Sequence, residues 1–391
     1  MDANVAANVT DGTISQNLQI TTGTVTNTGT FEATNGGTLE ISSGNFTNTD
    51  GTNNGTILAN GGTVVLDNQT TITGGTLTSM GSGEIDDTNS AHLYEATVSS
   101  GTKLYVIDGT SLFLNAPISP ATTDVITNNG TITVNKGGSD TGTGIGIAGN
   151  VELAGTGSIV LNAFAGNTAA ANIFDAGNSN LTQDAGHTIS GTGQITVNAF
   201  TNNGTVNANS SGNTLLLVHG GATYTNNNLL EATNGGILEE TSTNISNGIS
   251  GVIEANGGTV LLNGGSVAGG TLTSTSGSVI NEQGNATLSN VTLSAGSNLD
   301  VIAGNNLFFA SGSLITNNGT ITVNNGATNN GTNIMIVSNV ELAGTGRIVL
   351  NAFASNTGAA TIADGSNSNL TQDANHTISG PCRSWHWCSP R

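Results

Sequence analysis

The chain has 391 residues, a formal net charge of −20, 8% charged residues and 4% aromatic residues. Gly (57 residues), Asn and Thr fill nearly half of it, and apolar residues reach 35%, below the roughly 45–50% of an ordinary globular protein. An enzyme core of this length needs more large apolar side chains, and nucleic acid or an anionic membrane needs Lys and Arg, of which the first 380 residues hold only Lys103, Lys136 and Arg347.

The opening residues, MDANVAANVTDG, have no basic start and no apolar run, so no signal peptide is expected there. No stretch approaches the roughly 18 apolar residues of a membrane helix. Gly, Asn and Thr are poor helix formers, so helix is disfavoured throughout. Residues 1–26 read as the tail of a repeat module. Thr22, Thr24, Thr26, Thr28 and Thr30 then alternate, which on one strand would put all five on one face. Flat Thr arrays on solenoids can bind ice, but the second module has Thr223 and Thr225 followed by Asn227 and Leu229, so no continuous Thr plane is expected.

A complete module is expected over 27–225 and a second, truncated copy over 226–380. GTFEATNGGTLE ending at Glu40 matches NLLEATNGGILE ending at Glu239, and ANGGTVVL from Ala59 matches ANGGTVLL from Ala255. VITNNGTITVN from Val125, VELAGTGSIVLNAF from Val151 and NLTQDAGHTISG from Asn180 return from Leu314, Val340 and Asn369. The offset falls from about 199 to 189 residues through small deletions. The clearest lies in NAPISPATTD, where Pro117 and Pro120 predict a loop bulging from a sheet edge.

Inside each module short β-rich runs (TLEI, TVVL, TLTS, KLYVI, SLFL, TITV, SIVL) recur about every 9–13 residues, separated by NG, GG or NNG turns. Alternation puts Val64 with Leu66, Ile132 with Val134, and Ile159 with Leu161 on one face and Thr, Asn or Ser on the other. Two all-β architectures fit: a parallel β-helix (β-solenoid) and an antiparallel β-sandwich array. A sandwich needs larger aromatics in a closed core. A β-helix needs small aliphatic ladders and Asn or Gly corners, which is what the runs offer. About 20–25 residues per coil predicts about 16–19 coils and a rod of roughly 80–90 Å, with unpaired end edges prone to end-to-end association.

Several groupings invite a chemical reading. Gly144, Gly146 and Gly149 spell GxGxxG, but no helix can follow, so a turn-rich segment is expected. Asp184, His187 and Ser190 recur as Asp373, His376 and Ser379; on an extended strand the odd spacing sends acid and imidazole to opposite faces, and duplication explains the recurrence. Asp86 with Asp87, and Glu239 with Glu240, diverge on a strand and read as solvated acids. DAGNSN from Asp175 and DGSNSN from Asp364 match no calcium loop. The last eleven residues, 381–391, hold both Cys, both Trp and two of the four Pro; they read as a frame slip, and Cys382, His386 and Cys388 lack a fourth metal ligand. No residue is assigned as catalytic, cofactor-binding or metal-ligating, and no cofactor is called for.

TNNGTITVN, EATNGGTLE and HTISGTG resemble the β-strand-repeat passenger regions of large bacterial secreted proteins, including autotransporter and filamentous-haemagglutinin-like adhesins. The resemblance runs to Gly380. It implies a right-handed β-helix, export to the cell surface or medium, and roles in adhesion or biofilm. The expected function is a non-catalytic stalk or adhesion surface. Its implied partners are host or cell-surface glycans or other surface proteins, with no nucleic acid and no membrane insertion by this segment. A carbohydrate-active β-helix enzyme and an ice- or surface-binding solenoid are the alternatives.

Overall fold

The computed structural model describes residues 17–380, apart from 22, 43, 116–122, 219–222, 276, 327, 354 and 366. The loop with Pro117 and Pro120 and the tail with Cys382, His386 and Cys388 lie outside the described residues. The protein is an all-β solenoid of parallel strands stacked in about 14 turns. Its helical segments, among the described residues, are two single 3₁₀ turns, Thr168–Ala170 and Thr357–Ala359. Two compact units divide the chain, Met1–Val206 and Asn207–Arg391.

In the first unit each coil contributes one short strand to each of three sheets. The first sheet begins Asn17–Ile20, Thr38–Ile41, Thr63–Leu66 and Glu84–Asp87. The second contains His92–Tyr94, Ser111–Asn115, Thr143–Ala148 and Ala171–Asp175. The third begins Thr30–Thr34, Thr56–Asn60 and Thr76–Met80. Every strand bonds through its backbone to the strand one coil on, in parallel, which excludes the antiparallel sandwich for these segments. The register is in phase, so the inward residues form columns. Leu39, Val64, Ile85, Leu104, Ile132, Ile159 and Ile189 succeed one another on the first sheet, each at most 1% exposed. Burying each such side chain contributes roughly 1.5–3 kcal/mol. The alternation read from Val64 and Leu66, Ile132 and Val134, and Ile159 and Leu161 is the observed one.

The second unit repeats this plan internally. Leu230, Ile253, Leu272 and Leu293 form one inward column, and Leu238, Val260, Ile280 and Leu299 another.

Coils are fewer than the 16–19 expected, because corners take up more chain. The third-sheet register steps by 20 residues from Thr56 to Thr76 but by 30 from Asn150 to Asn180. Some corners need glycine. At Gly155 φ is +95°, and a Cβ there would stand 2.4 Å from the Asn128 carbonyl oxygen. At Gly191, φ +107°, it would stand 2.1 Å from the Leu161 carbonyl oxygen, which lets the strand Thr188–Thr196 bend from the first sheet to the second without interruption.

The Thr array is not one face. Asn27, 3% exposed, turns the chain between Thr24–Thr26 of the second sheet and Thr30–Thr34 of the third. Its Oδ1 accepts from Gly29 N at 3.0 Å and its Nδ2 donates to Asn48 Oδ1 at 2.7 Å, one coil on. Thr24 and Thr26 therefore face away from one sheet and Thr30 from another, and Thr22 lies outside the described residues.

Burial ranks two adjacent substitutions. Ile132→Ala should lower the stability of this stack by about 2–5 kcal/mol, whereas Thr133→Ala, on the outer side of the same strand, should change it by about 0.5 kcal/mol or less. Urea-unfolding midpoints of the two variants check the ranking.

Candidate functional site

The grouped residues do not assemble into the chemistry their sequences suggest. Asp184 lies in a corner and not on a strand, its carbonyl accepting the His187 backbone N–H at 3.2 Å. His187 is fully buried, and its Nε2 meets Asn128 Nδ2 at 3.0 Å, 59 residues away. The same Asn128 amide donates to Ser158 O at 3.1 Å, and its Oδ1 accepts from Gly130 N at 3.0 Å. Since the amide nitrogen can only donate, Nε2 accepts and the ring is neutral with its proton on Nδ1. Burial pushes this imidazole down to about 4, where it cannot act as a base poised near neutrality. His376 and Asn317 repeat the contact at 2.9 Å in the second unit, and burial lowers that imidazole too. The recurring histidine thus contributes a corner bracket, in which an Asn reaches past a glycine corner to a histidine two coils on, while Ser190 lies on the strand Thr188–Thr196 that follows.

The acidic pairs diverge as expected, but their inner members are not solvated. Asp87 is fully buried, and its Oδ1 accepts from Ala91 N at 2.9 Å. Burial raises it to about 7. Glu240, 2% exposed, accepts from Thr243 N at 3.0 Å, and burial raises it to about 9. Glu282, the residue matching Asp87 in the second copy, is buried and accepts from Gly284 N and Ala286 N at 3.0 Å each. A corner exposes several backbone N–H groups with no strand partner, and a carboxyl can accept two of them at once. That gain places acids inside where composition alone suggests a wet surface.

The outer members do different work. Asp86 and Glu84 both meet Lys136 Nζ, at 3.2 and 2.8 Å, and that ammonium lies 4.2 Å from the centre of the Tyr105 ring. Two acids and a base therefore converge on the first sheet. Burial opposes its charge, but the hydrogen bonds it donates to both carboxylates and their negative charge outweigh this and raise the lysine above its ordinary value, so it is held as a cation. In the second copy Asn325 Nδ2 donates to Asp300 Oδ2 at 2.6 Å, where Lys136 and Tyr105 stand in the first. A neutral amide replaces the charge, which assigns the pair to holding coils together.

The remaining candidates are loops that satisfy themselves. Asp175 Oδ1 accepts from Gly177 N, Ser179 N and Ser179 Oγ at 2.8, 3.0 and 2.8 Å. Asp364 Oδ1 accepts from Ser368 N at 2.9 Å. Among the described residues no group of three or more His, Cys, Asp or Glu is placed to hold a metal ion.

The GxGxxG string is not a run of turns. Gly144 and Gly146 are the outward positions of the strand Thr143–Ala148, between inward Ile145 and Ile147, and only Gly149 is at a corner. Their missing side chains make room for rings. A Cβ on Gly144 would stand 2.7 Å from the Phe174 ring and one on Gly146 3.0 Å from it, so this ring lies across the strand over both glycines. Phe113, from the coil before, touches Gly146 from the other side, with its ring 6.1 Å from that of Phe174 and turned by 80°. His92 stacks on Phe113 at 4.8 Å and 14°. Asn115 Nδ2 reaches His92 Nδ1 at 2.6 Å and Tyr94 Oη at 3.0 Å. In a chain with 4% aromatics, this half-buried group on one outer face is its most distinctive surface. Sequence reasoning missed it. The available signal was a strand, TGIGIA, whose outward side chains are both absent, with aromatics spaced by whole coils around it.

No protein-family model matches the chain, and no curated protein matches it. Among solved structures, the crystal structure of the TibC-catalysed hyper-glycosylated TibA55-350 fragment is similar over 91% of this chain and 100% of that one, at 14% identity and a TM-score of 0.28.

Two buried groups give the stability opposite pH dependences. The His187 pKa falls on folding, from 6.5 to about 4, so the unfolded chain binds the extra proton and stability is lost as pH falls through that window. His187→Gln should flatten the loss, as followed by urea midpoints between pH 4 and 7. The Glu240 pKa rises from 4.5 to about 9, so stability is lost as pH rises, by about 1.4 kcal/mol for each unit within that window. Glu240→Gln should therefore raise the urea midpoint at pH 8 relative to the native chain and leave it nearly unchanged at pH 4.

Proposed function

We propose that this chain is a non-catalytic segment of a bacterial secreted or cell-surface protein, acting outside the cell as a stalk or adhesive surface. One observation carries the reading: the outward side chains of successive coils stand in register and are mostly short, neutral and polar. Thr30, Thr56, Thr76 and Thr97 form one such column on the third sheet of the first unit. A column of this kind offers a repeating set of hydroxyl groups to a long, weakly held partner such as a surface glycan, and it offers no acid or base to a bond. The groups with perturbed protonation support the same reading, because the His187 imidazole is bonded to the Asn128 amide and the Asp87 and Glu240 carboxyls accept from corner backbone N–H groups. The resemblance of TNNGTITVN and EATNGGTLE to adhesin passenger repeats supports export and a place in adhesion or biofilm. No helix among the described residues is long and apolar enough to cross a membrane.

Beads coated with the full chain should attach to immobilised cell-surface polysaccharides more strongly than beads coated with an inert carrier. Incubation of the soluble chain with the same polysaccharides should release no new reducing ends. Release of reducing ends would replace this reading with a carbohydrate-active enzyme.

A further inference from the structure

We infer that Phe174, lying over Gly144 and Gly146, is the floor of a binding site for the pyranose ring of a neutral glycan; this deepens the proposed surface role and rests on it. The ring packs against Gly144 and Gly146 of Thr143–Ala148 and is half-buried, so part of it is in reach of water. A flat aromatic face carries partial negative charge and suits the axial C–H groups of a sugar. Standing nearly perpendicular to it, Phe113 backed by His92 forms a wall at one edge.

Two amides and an imidazole hold the aromatic group in place from beneath and behind. Asn172, two residues before Phe174 and beside Gly144, spends its Nδ2 on Ala169 O at 3.2 Å, and its Oδ1 has no protein partner. Asn115 Oδ1 is likewise without one. With His92 Nδ1 accepting from Asn115, the imidazole behind the wall is neutral, with its proton on Nε2.

The setting selects a neutral sugar. Burial lowers the His92 imidazole, so it carries no charge at neutral pH. Asp175, next to Phe174, turns Oδ1 into its own corner. Lys136 is spent on Glu84 and Asp86, and the net charge of −20 opposes an anionic chain. The second copy serves as an internal contrast. There Asn333, Met335 and Ala363 replace Gly144, Gly146 and Phe174, so neither the glycine bed nor the ring is present.

Saturation-transfer NMR on the full chain with maltoheptaose, cellohexaose, xylohexaose and, as the anionic arm, trigalacturonate tests this. Transfer to the C–H protons of at least one neutral oligosaccharide is expected. Phe174→Ala should weaken its binding about tenfold or more, a loss of about 1.4 kcal/mol. Gly144→Ala keeps the ring but puts a methyl group beneath it, and should weaken binding similarly. Phe164→Ala, an exposed aromatic elsewhere, should leave binding unchanged, and circular dichroism of each variant reports the fold. The site is overturned if no neutral oligosaccharide shows transfer, if trigalacturonate binds best, or if folded Phe174→Ala binds as the native chain does. Bead attachment that survives Phe174→Ala at full strength overturns the site and leaves the surface role standing. Shorter oligosaccharides appearing in the spectra overturn the non-catalytic reading itself.

Discussion

Each strand is hydrogen-bonded to the equivalent strand of the next coil, and the other features follow from that constraint. A backbone N–H or C=O left unpaired in the interior is costly, so a short strand persists only while a neighbouring coil accepts and donates to it. This lets a chain with few large apolar residues fold. Parallel register stacks small aliphatic side chains into columns such as Leu39, Val64 and Ile85, which fill a narrow interior with the help of a few buried rings such as Phe46 and Phe309. The same register turns any outward residue into a member of a surface column.

Corners carry the exceptions. There the ladder is interrupted and backbone groups need other partners. Asn supplies them: Asn27 and Asn48 join adjacent coils, and Asn128 spans to His187. Carboxyls supply them as well, at the expense of holding Asp87 and Glu240 where ionisation is disfavoured. The groups with the most shifted protonation are therefore structural, and their burial ties the stability of the fold to pH.

Much of this was legible in the sequence. Alternation within TVVL or TITV fixes which side chains face inward, and the Asn and Gly between them mark corners. What alternation cannot show is where a run of alternating residues is cut. Thr24 to Thr30 looks continuous, yet Asn27 is a corner because its side chain is bonded to the coil above. The acids were misplaced for a related reason, since the N–H groups that draw Asp87 inward become available only once the chain has turned. The aromatic shelf was the least legible feature. Phe113, Gly146 and Phe174 are far apart in sequence, and their contact depends on which coil stacks on which.

Spin labels on the third sheet of the first unit test the coil-on-coil register most directly. Thr30 stands three, four and five register steps from Thr97, Thr127 and Ala154. At about 4.8 Å per step, the distances from Thr30 should rise in that order, to roughly 14, 19 and 24 Å. Distances that alternate, or that do not grow with the number of intervening coils, would contradict parallel stacking.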